Sequence, residues 1–160
     1  MLKRENNLIL IVILFFVSLV LISAFVIEYG LNHQPCKLCL YERIPYILSI
    51  LLIIKILFVK KYEKITLFIL FLIFIASAVL AFYHFGIEQG FFSESFVCKV
   101  GDLSGTLSKD QLLEQLNKNS INCKDVSIRV LGLSLATINT ILSIILSVIF
   151  LKLFLNYAKN

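Results

Sequence analysis

Apolar residues in this chain fall in long unbroken blocks, not in the alternation of a half-buried strand or the single stripe of a surface helix. Residues 8–27 form the first block, 20 positions without a charge. At about 1.5 Å per residue, a helix of that length crosses the ~30 Å hydrocarbon core of a bilayer. A cleaved signal peptide would carry a shorter core of about 7–15 apolar residues and a small-x-small cleavage site, so this block is expected to stay as an anchor. The second block, 44–59, is short and carries Lys55 near its end, where an ammonium can reach the interface. Blocks 65–85 and 130–151 follow. The pattern predicts an all-α membrane protein, a four-helix transmembrane bundle forming one domain over residues 1–160. Loops 28–43 and 86–129 lie on one side, and both termini lie on the other. Inside the second loop, Ser108-Lys109-Asp110-Gln111 has the form of a capping box, with Leu112, Leu113 and Leu116 at helical spacing. A short amphipathic helix over 109–118 is expected, on the membrane surface or packed on the loop itself.

Composition agrees. Hydrophobic residues make up 59% and charged residues 16%, against roughly 45–50% and 25% in soluble proteins. That excludes a cytosolic enzyme, a secreted domain and a disordered chain. The net charge of +5 does not mark a nucleic-acid binder, because the lysines form no stripe with interleaved aromatics. It marks topology instead. Segments 1–7, 60–64 and 152–160 hold seven Lys/Arg in 21 residues, whereas the two loops hold seven in 60. The dense side is expected to be cytoplasmic, with the loops facing outward.

All four cysteines, Cys36, Cys39, Cys98 and Cys123, lie in the outward loops. On an oxidising face they suggest disulfides, with three possible pairings. A structural zinc site fits less well. Cys36 and Cys39 have knuckle spacing, but 24 residues separate Cys98 from Cys123, and zinc would compete with oxidation. A bridge over 98–123 could staple that loop by about 3 kcal/mol. A C-x-x-C ring constrains almost no chain, and such rings are kept for reactivity. Pro35 favours a helix start, and a helix N-terminus beside Lys37 or Arg43 favours thiolate. If the segment is helical, Cys36, Cys39 and Arg43 share a face. Pro45 disfavours helix at Ile44 and is expected to kink the start of span two. The other reading of Arg43 is an interfacial anchor.

A disulfide that is used must be regenerated. The chain carries no G-x-G-x-x-G fingerprint and no haem motif, since Leu40 follows Cys39. A C-x-x-C at the membrane edge with a cation one turn on suits a lipid-dissolved quinone, because the cation stabilises developing negative charge. His84 and Glu88, at i, i+4 near the end of span three, can face each other. The histidine is a candidate proton carrier, or the two form a structural interfacial pair. Asn139, among Ser134, Thr137, Thr140, Ser143 and Ser147, reads as a helix-joining position, and Gly132 with Ala136 as a close-packing pair. The rival class is a non-enzymatic thiolate metal carrier. A single Met and the lack of any cysteine inside a span weigh against it.

Together these motifs resemble the disulfide bond formation protein B (DsbB) family. Pro35-Cys36-Lys37-Leu38-Cys39-Leu40-Tyr41-Glu42-Arg43 is similar to that family's Cys-x-x-Cys-x-x-x-Arg approach to span two. Tyr83-His84-Phe85-Gly86-Ile87-Glu88-Gln89-Gly90 followed by Cys98 is similar to its exit from span three. Cys123 ahead of Leu131-Gly132-Leu133-Ser134 is similar to its approach to span four. The vitamin K epoxide reductase group fits less well, because its C-x-x-C comes late in the bundle. The resemblance implies a thiol:quinone oxidoreductase of the bacterial inner membrane, with its cysteines periplasmic and no metal cofactor. Cys36 and Cys39 would be the quinone-coupled pair, with Cys39 meeting the ring of ubiquinone or menaquinone. Arg43 and His84 would help bind that quinone. Cys98 and Cys123 would be the mobile pair, Cys98 joining a DsbA-type thioredoxin-like oxidase, and Cys36 and Cys123 would join transiently. The activity would support disulfide formation in exported proteins.

Overall fold

A computed structural model describes residues 2–32, 35–93, 129–130 and 132–159. Helix α1 (Leu2–Phe25) is apolar on nearly every side and ends in a single π-helical turn, Val26–Gly30. Helix α2 covers Lys37–Phe58 and α3 covers Glu63–Glu88. A two-residue antiparallel pair, Arg129–Val130 with Leu133–Ser134, precedes α4 (Leu135–Lys159). Among the described residues, three helical stretches, Asn6–Gly30, Glu63–Glu88 and Leu135–Tyr157, are long and apolar enough to cross a membrane. Helix α2 is not among them, and it carries Lys37, Glu42, Arg43 and Lys55.

The helix ends follow from local chemistry. Cys36 caps α2 with extended backbone, and its Sγ accepts from the Cys39 N–H at 3.2 Å. A sulfur thus takes the place usually filled by a Ser or Asp oxygen. Contrary to expectation, Ile44 ahead of Pro45 is helical: α2 runs unbroken from Lys37 to Phe58. Proline removes only the bond to the carbonyl of Tyr41, a residue on the outward side of the helix, and packing carries the helix through. Helix α4 begins five residues later than its apolar block. Gly132, at φ +83°, turns the chain, and the Ser134 Oγ accepts from the Thr137 N–H at 3.2 Å to cap the helix.

Helix α3 packs along α4, and α2 packs against α1 and α3. The core joins Leu10, Ile13 and Val17 of α1 to Tyr46, Ile53 and Ile56 of α2, Leu67, Leu70 and Phe74 of α3, and Leu146, Phe150 and Leu153 of α4. Phe74 stacks on Phe150 with ring centroids 5.5 Å apart and meets Tyr46 edge-on. A smaller cluster of Cys36, Leu38 and Ile87, flanked by Cys39, Leu80 and Tyr83, seats the cysteine pair against α3. The expected helix over 109–118 lies outside the described residues.

Candidate functional site

The buried face of α2 begins Leu38, Glu42, Tyr46, Ser49, so a carboxylate stands on the inward stripe one turn past the cysteines. That carboxylate organises the site. The Cys36 Sγ lies 3.6 Å from His84 Nε2, on the last turns of α3. The other ring nitrogen, Nδ1, lies 2.7 Å from Glu42 Oε1. Glu42 Oε2 accepts from Asn139 Nδ2 of α4 at 2.8 Å, and the Tyr46 hydroxyl donates to Asn139 Oδ1. Polar groups therefore run unbroken from Cys36 through His84, Glu42 and Asn139 to Tyr46, across three helices. Burying a carboxylate is tolerable only when it is paired and hydrogen-bonded, and here both oxygens are engaged.

Cys36 is buried, Cys39 is half-buried, and both are free thiols. Their sulfurs and a His84 ring nitrogen all lie within 4.8 Å of one another. The two thiols are driven apart electrostatically. The hydrogen bond from the Cys39 side chain, and then the hydrogen bond and charge of His84, outweigh burial and hold Cys36 down at about 4. The same hydrogen bond, burial and the negative charges of Cys36 and Glu42 push the Cys39 thiol up. A thiolate is the attacking form of sulfur, so the pair divides into a nucleophile and a protonated partner.

Arg43, expected on the face of the two cysteines, instead has its partners on another helix. Arg43 turns toward the end of α1. It pairs with Glu28, donates to the Ala24 carbonyl at 3.4 Å and lies 5.0 Å above the Phe25 ring. Its guanidinium is thus fixed where α1 widens into the π-helical turn. Glu88 does approach His84, with Oε1 3.8 Å from Nε2, but Glu42 is the nearer carboxylate. Glu88 Oε2 is buried without a hydrogen-bond partner among the described residues. Asn139 joins helices, as expected, and does so through Glu42 and Tyr46. Those two were missed as site residues. The available signal was a charge at 42 standing four residues from Leu38 and four from Tyr46 on one helical stripe. Cys98 and Cys123 lie outside the described residues.

Comparison with known proteins adds two findings. A family model described as disulfide bond formation protein DsbB matches residues 6–153. The uncharacterized protein RP370 of Rickettsia prowazekii (strain Madrid E) is 30% identical over 161 residues, covering 99% of this chain and 93% of its own. No solved structure matches the chain.

Proposed function

Because the chain belongs to the disulfide bond formation protein DsbB family, and by that membership is a membrane disulfide oxidoreductase, we propose that it reoxidises a periplasmic DsbA-type dithiol oxidase and delivers the electrons to membrane quinone. A partner thiolate attacks the Cys98–Cys123 disulfide and forms a mixed disulfide at Cys98. The partner's second thiol resolves it, which leaves the partner oxidised and Cys98 and Cys123 as thiols. That dithiol then reduces the Cys36–Cys39 disulfide by the same exchange, through a transient Cys36–Cys123 bridge. Closing the cycle turns Cys36 and Cys39 back to a disulfide and releases two electrons and two protons.

Quinone, when bound, supplies the two-electron, two-proton sink. A DsbA-type partner is itself strongly oxidising, at about −120 mV, so a glutathione pool is too reducing to recharge it. The residues at the site fit a quinone. Cys39 is half-buried, and Leu40 and Ile44 beside it on α2 are exposed apolar side chains. Arg43 and His84 would hold the polar end, and Cys39 is the sulfur facing it. Within the chain, Glu42 orients His84, and His84 accepts or returns a proton at Nε2 next to the Cys36 sulfur. The four-span bundle, the cytoplasmic termini and the periplasmic loops belong to the same reading.

The observation that carries this reading is Cys36 at the N-terminus of α2, next to Cys39 and 3.6 Å from a histidine locked by Glu42. The test mixes purified protein, a reduced thioredoxin-like oxidase and ubiquinone or menaquinone, and follows quinone absorbance. Turnover is expected, and Cys39→Ser should abolish it while expression and helix content persist. Undiminished turnover in that variant would overturn the assignment of the quinone-coupled pair.

A further inference from the structure

We propose that the reduced Cys36–Cys39 pair and His84 together form a binding site for a zinc-class divalent ion, and that the bound ion holds the dithiol out of the redox cycle. Cysteine spacing alone argues against such a site, because Cys98 and Cys123 supply no second knuckle. The fold supplies a histidine instead. A tetrahedral ion with bonds of about 2.3 Å to sulfur and 2.0–2.1 Å to nitrogen requires about 3.6 Å between those two ligand atoms. Cys36 Sγ and His84 Nε2 are 3.6 Å apart. The Cys39 Sγ completes a trio whose ligand atoms lie within 4.8 Å of one another.

Two further features point to a ligand. His84 presents Nε2 because Glu42 holds Nδ1 at 2.7 Å, the carboxylate–histidine arrangement that orients an imidazole and raises its basicity toward a metal. Glu88 has a side chain only 7% exposed and one oxygen 3.8 Å from His84 Nε2; Ser134 hydrogen-bonds its side chain, and its Oε2 is buried without a partner among the described residues. An unpaired buried carboxylate oxygen is unfavourable. The Glu88 carboxylate lies beside His84, next to the trio and not within it, where a bound cation would satisfy it. Two thiolates and one imidazole form a donor set suited to zinc, with the fourth tetrahedral position left to water.

Binding moves no electrons. The ion displaces whatever protons the two thiols carry and is held as a dithiolate complex. A Cys36–Cys39 disulfide has no thiolate to offer, so the site exists only in the reduced pair, and metal and oxidation exclude each other. The inhibition rests on the oxidoreductase reading above, whereas the binding does not.

Cobalt(II) is the probe, because thiolate ligation gives it sulfur-to-metal charge-transfer bands and intense tetrahedral d–d bands. The full chain in detergent is reduced, freed of reductant and titrated. These bands are expected in the reduced protein and not in the oxidised one, and zinc should bleach them. They should survive in a Cys98→Ser/Cys123→Ser double variant and disappear in Cys39→Ser, a small change at a half-buried position. Glu42→Gln should weaken binding roughly 10–100-fold. Absence of bands in the reduced chain would overturn the site, as would bands that persist in Cys39→Ser or vanish with Cys98 and Cys123. In the turnover assay zinc should slow quinone reduction and a chelator should restore it. Zinc-insensitive turnover in a protein that binds cobalt would overturn the inhibition alone. Failure of the quinone reading is a separate result: no absorbance change in metal-free buffer, whatever cobalt does.

Discussion

At the scale of single residues, the surroundings push two neighbouring thiols in opposite directions. Cys36 is held at about 4 by the Cys39 hydrogen bond and by His84, against the effect of burial. A depressed thiol is charged above its shifted value and loses that charge as the pH falls through it. Alkylation of reduced Cys36 by iodoacetamide, followed by mass spectrometry, should therefore stay fast through neutral pH and fall with a midpoint near 4. An ordinary thiol would lose reactivity below about 8.5. His84→Gln removes one hydrogen bond and its charge, so the midpoint should rise. A wild-type midpoint in the ordinary range would show that the Cys39 and His84 contacts do not act on Cys36 in solution. Glu42, which fixes His84, was hard to see in the sequence for a physical reason. Its partners sit 42 and 97 residues away, and only the packing of α2 against α3, with Asn139 reaching in from α4, turns a charge beside a cysteine motif into the hub of a buried relay.

At the scale of elements, apolar block length located the helices well and their ends poorly. Hydrocarbon thickness governs the blocks, whereas capping and turns govern the ends. Helix α2 starts at Lys37 because Cys36 caps it, seven residues before the apolar block at 44. Helix α3 runs past 85 to Glu88, and the chain then folds back, with the N–H groups of Phe91 and Phe92 both donating to the Gly86 carbonyl. This turn places Phe92 over Tyr83 with ring centroids 5.5 Å apart, beside the cluster that seats the cysteines. A Cβ built on Gly86 would lie 2.1 Å from the Phe92 ring, so Gly86→Ala must expel it. Losing an aromatic pair costs about 0.5–1.5 kcal/mol, and Gly86→Ala should lower stability by that order in a detergent melt. The coupling is checked by a double-mutant cycle. Gly86→Ala added to Phe92→Ala should cost much less than Gly86→Ala alone, and strict additivity would place the clash elsewhere.

At the scale of the whole molecule, the outward surface is apolar where that of a protein dissolved in water would be polar, and small polar groups sit within an otherwise apolar core. Phe15, Leu51, Val79 and Ile144 face outward, while Ser49, Thr66, Ser77 and Ser143 are buried, with Ser77 and Ser143 hydroxyls 3.0 Å apart between α3 and α4. Lipid rewards this arrangement, because small polar groups hydrogen-bond helix to helix while apolar side chains meet the acyl chains. Helix α2 carries more charged residues than the other three, yet past Lys37 at its start each of these charges has a partner. Glu42 bonds His84 and Asn139, Arg43 bonds Glu28, and Lys55 Nζ donates to Thr66 Oγ1 at 3.2 Å. Its 22 residues give a length of about 33 Å, enough to cross the hydrocarbon core. Ionisable groups within a membrane are tolerated when they pair in the bundle interior, as Glu42 does, or reach the interface near a helix end, as Lys55 does, so α2 is expected to cross with the rest. Single cysteines introduced into a cysteine-free chain read this directly. In sealed cells, a membrane-impermeant maleimide should label Asn32→Cys and Gln89→Cys. It should reach Lys61→Cys only after permeabilisation, in keeping with the basic cluster at 60–64 lying inside. Labelling of Asn32→Cys and Lys61→Cys together in sealed cells would put both ends of α2 on one face, and the four-span bundle would fail.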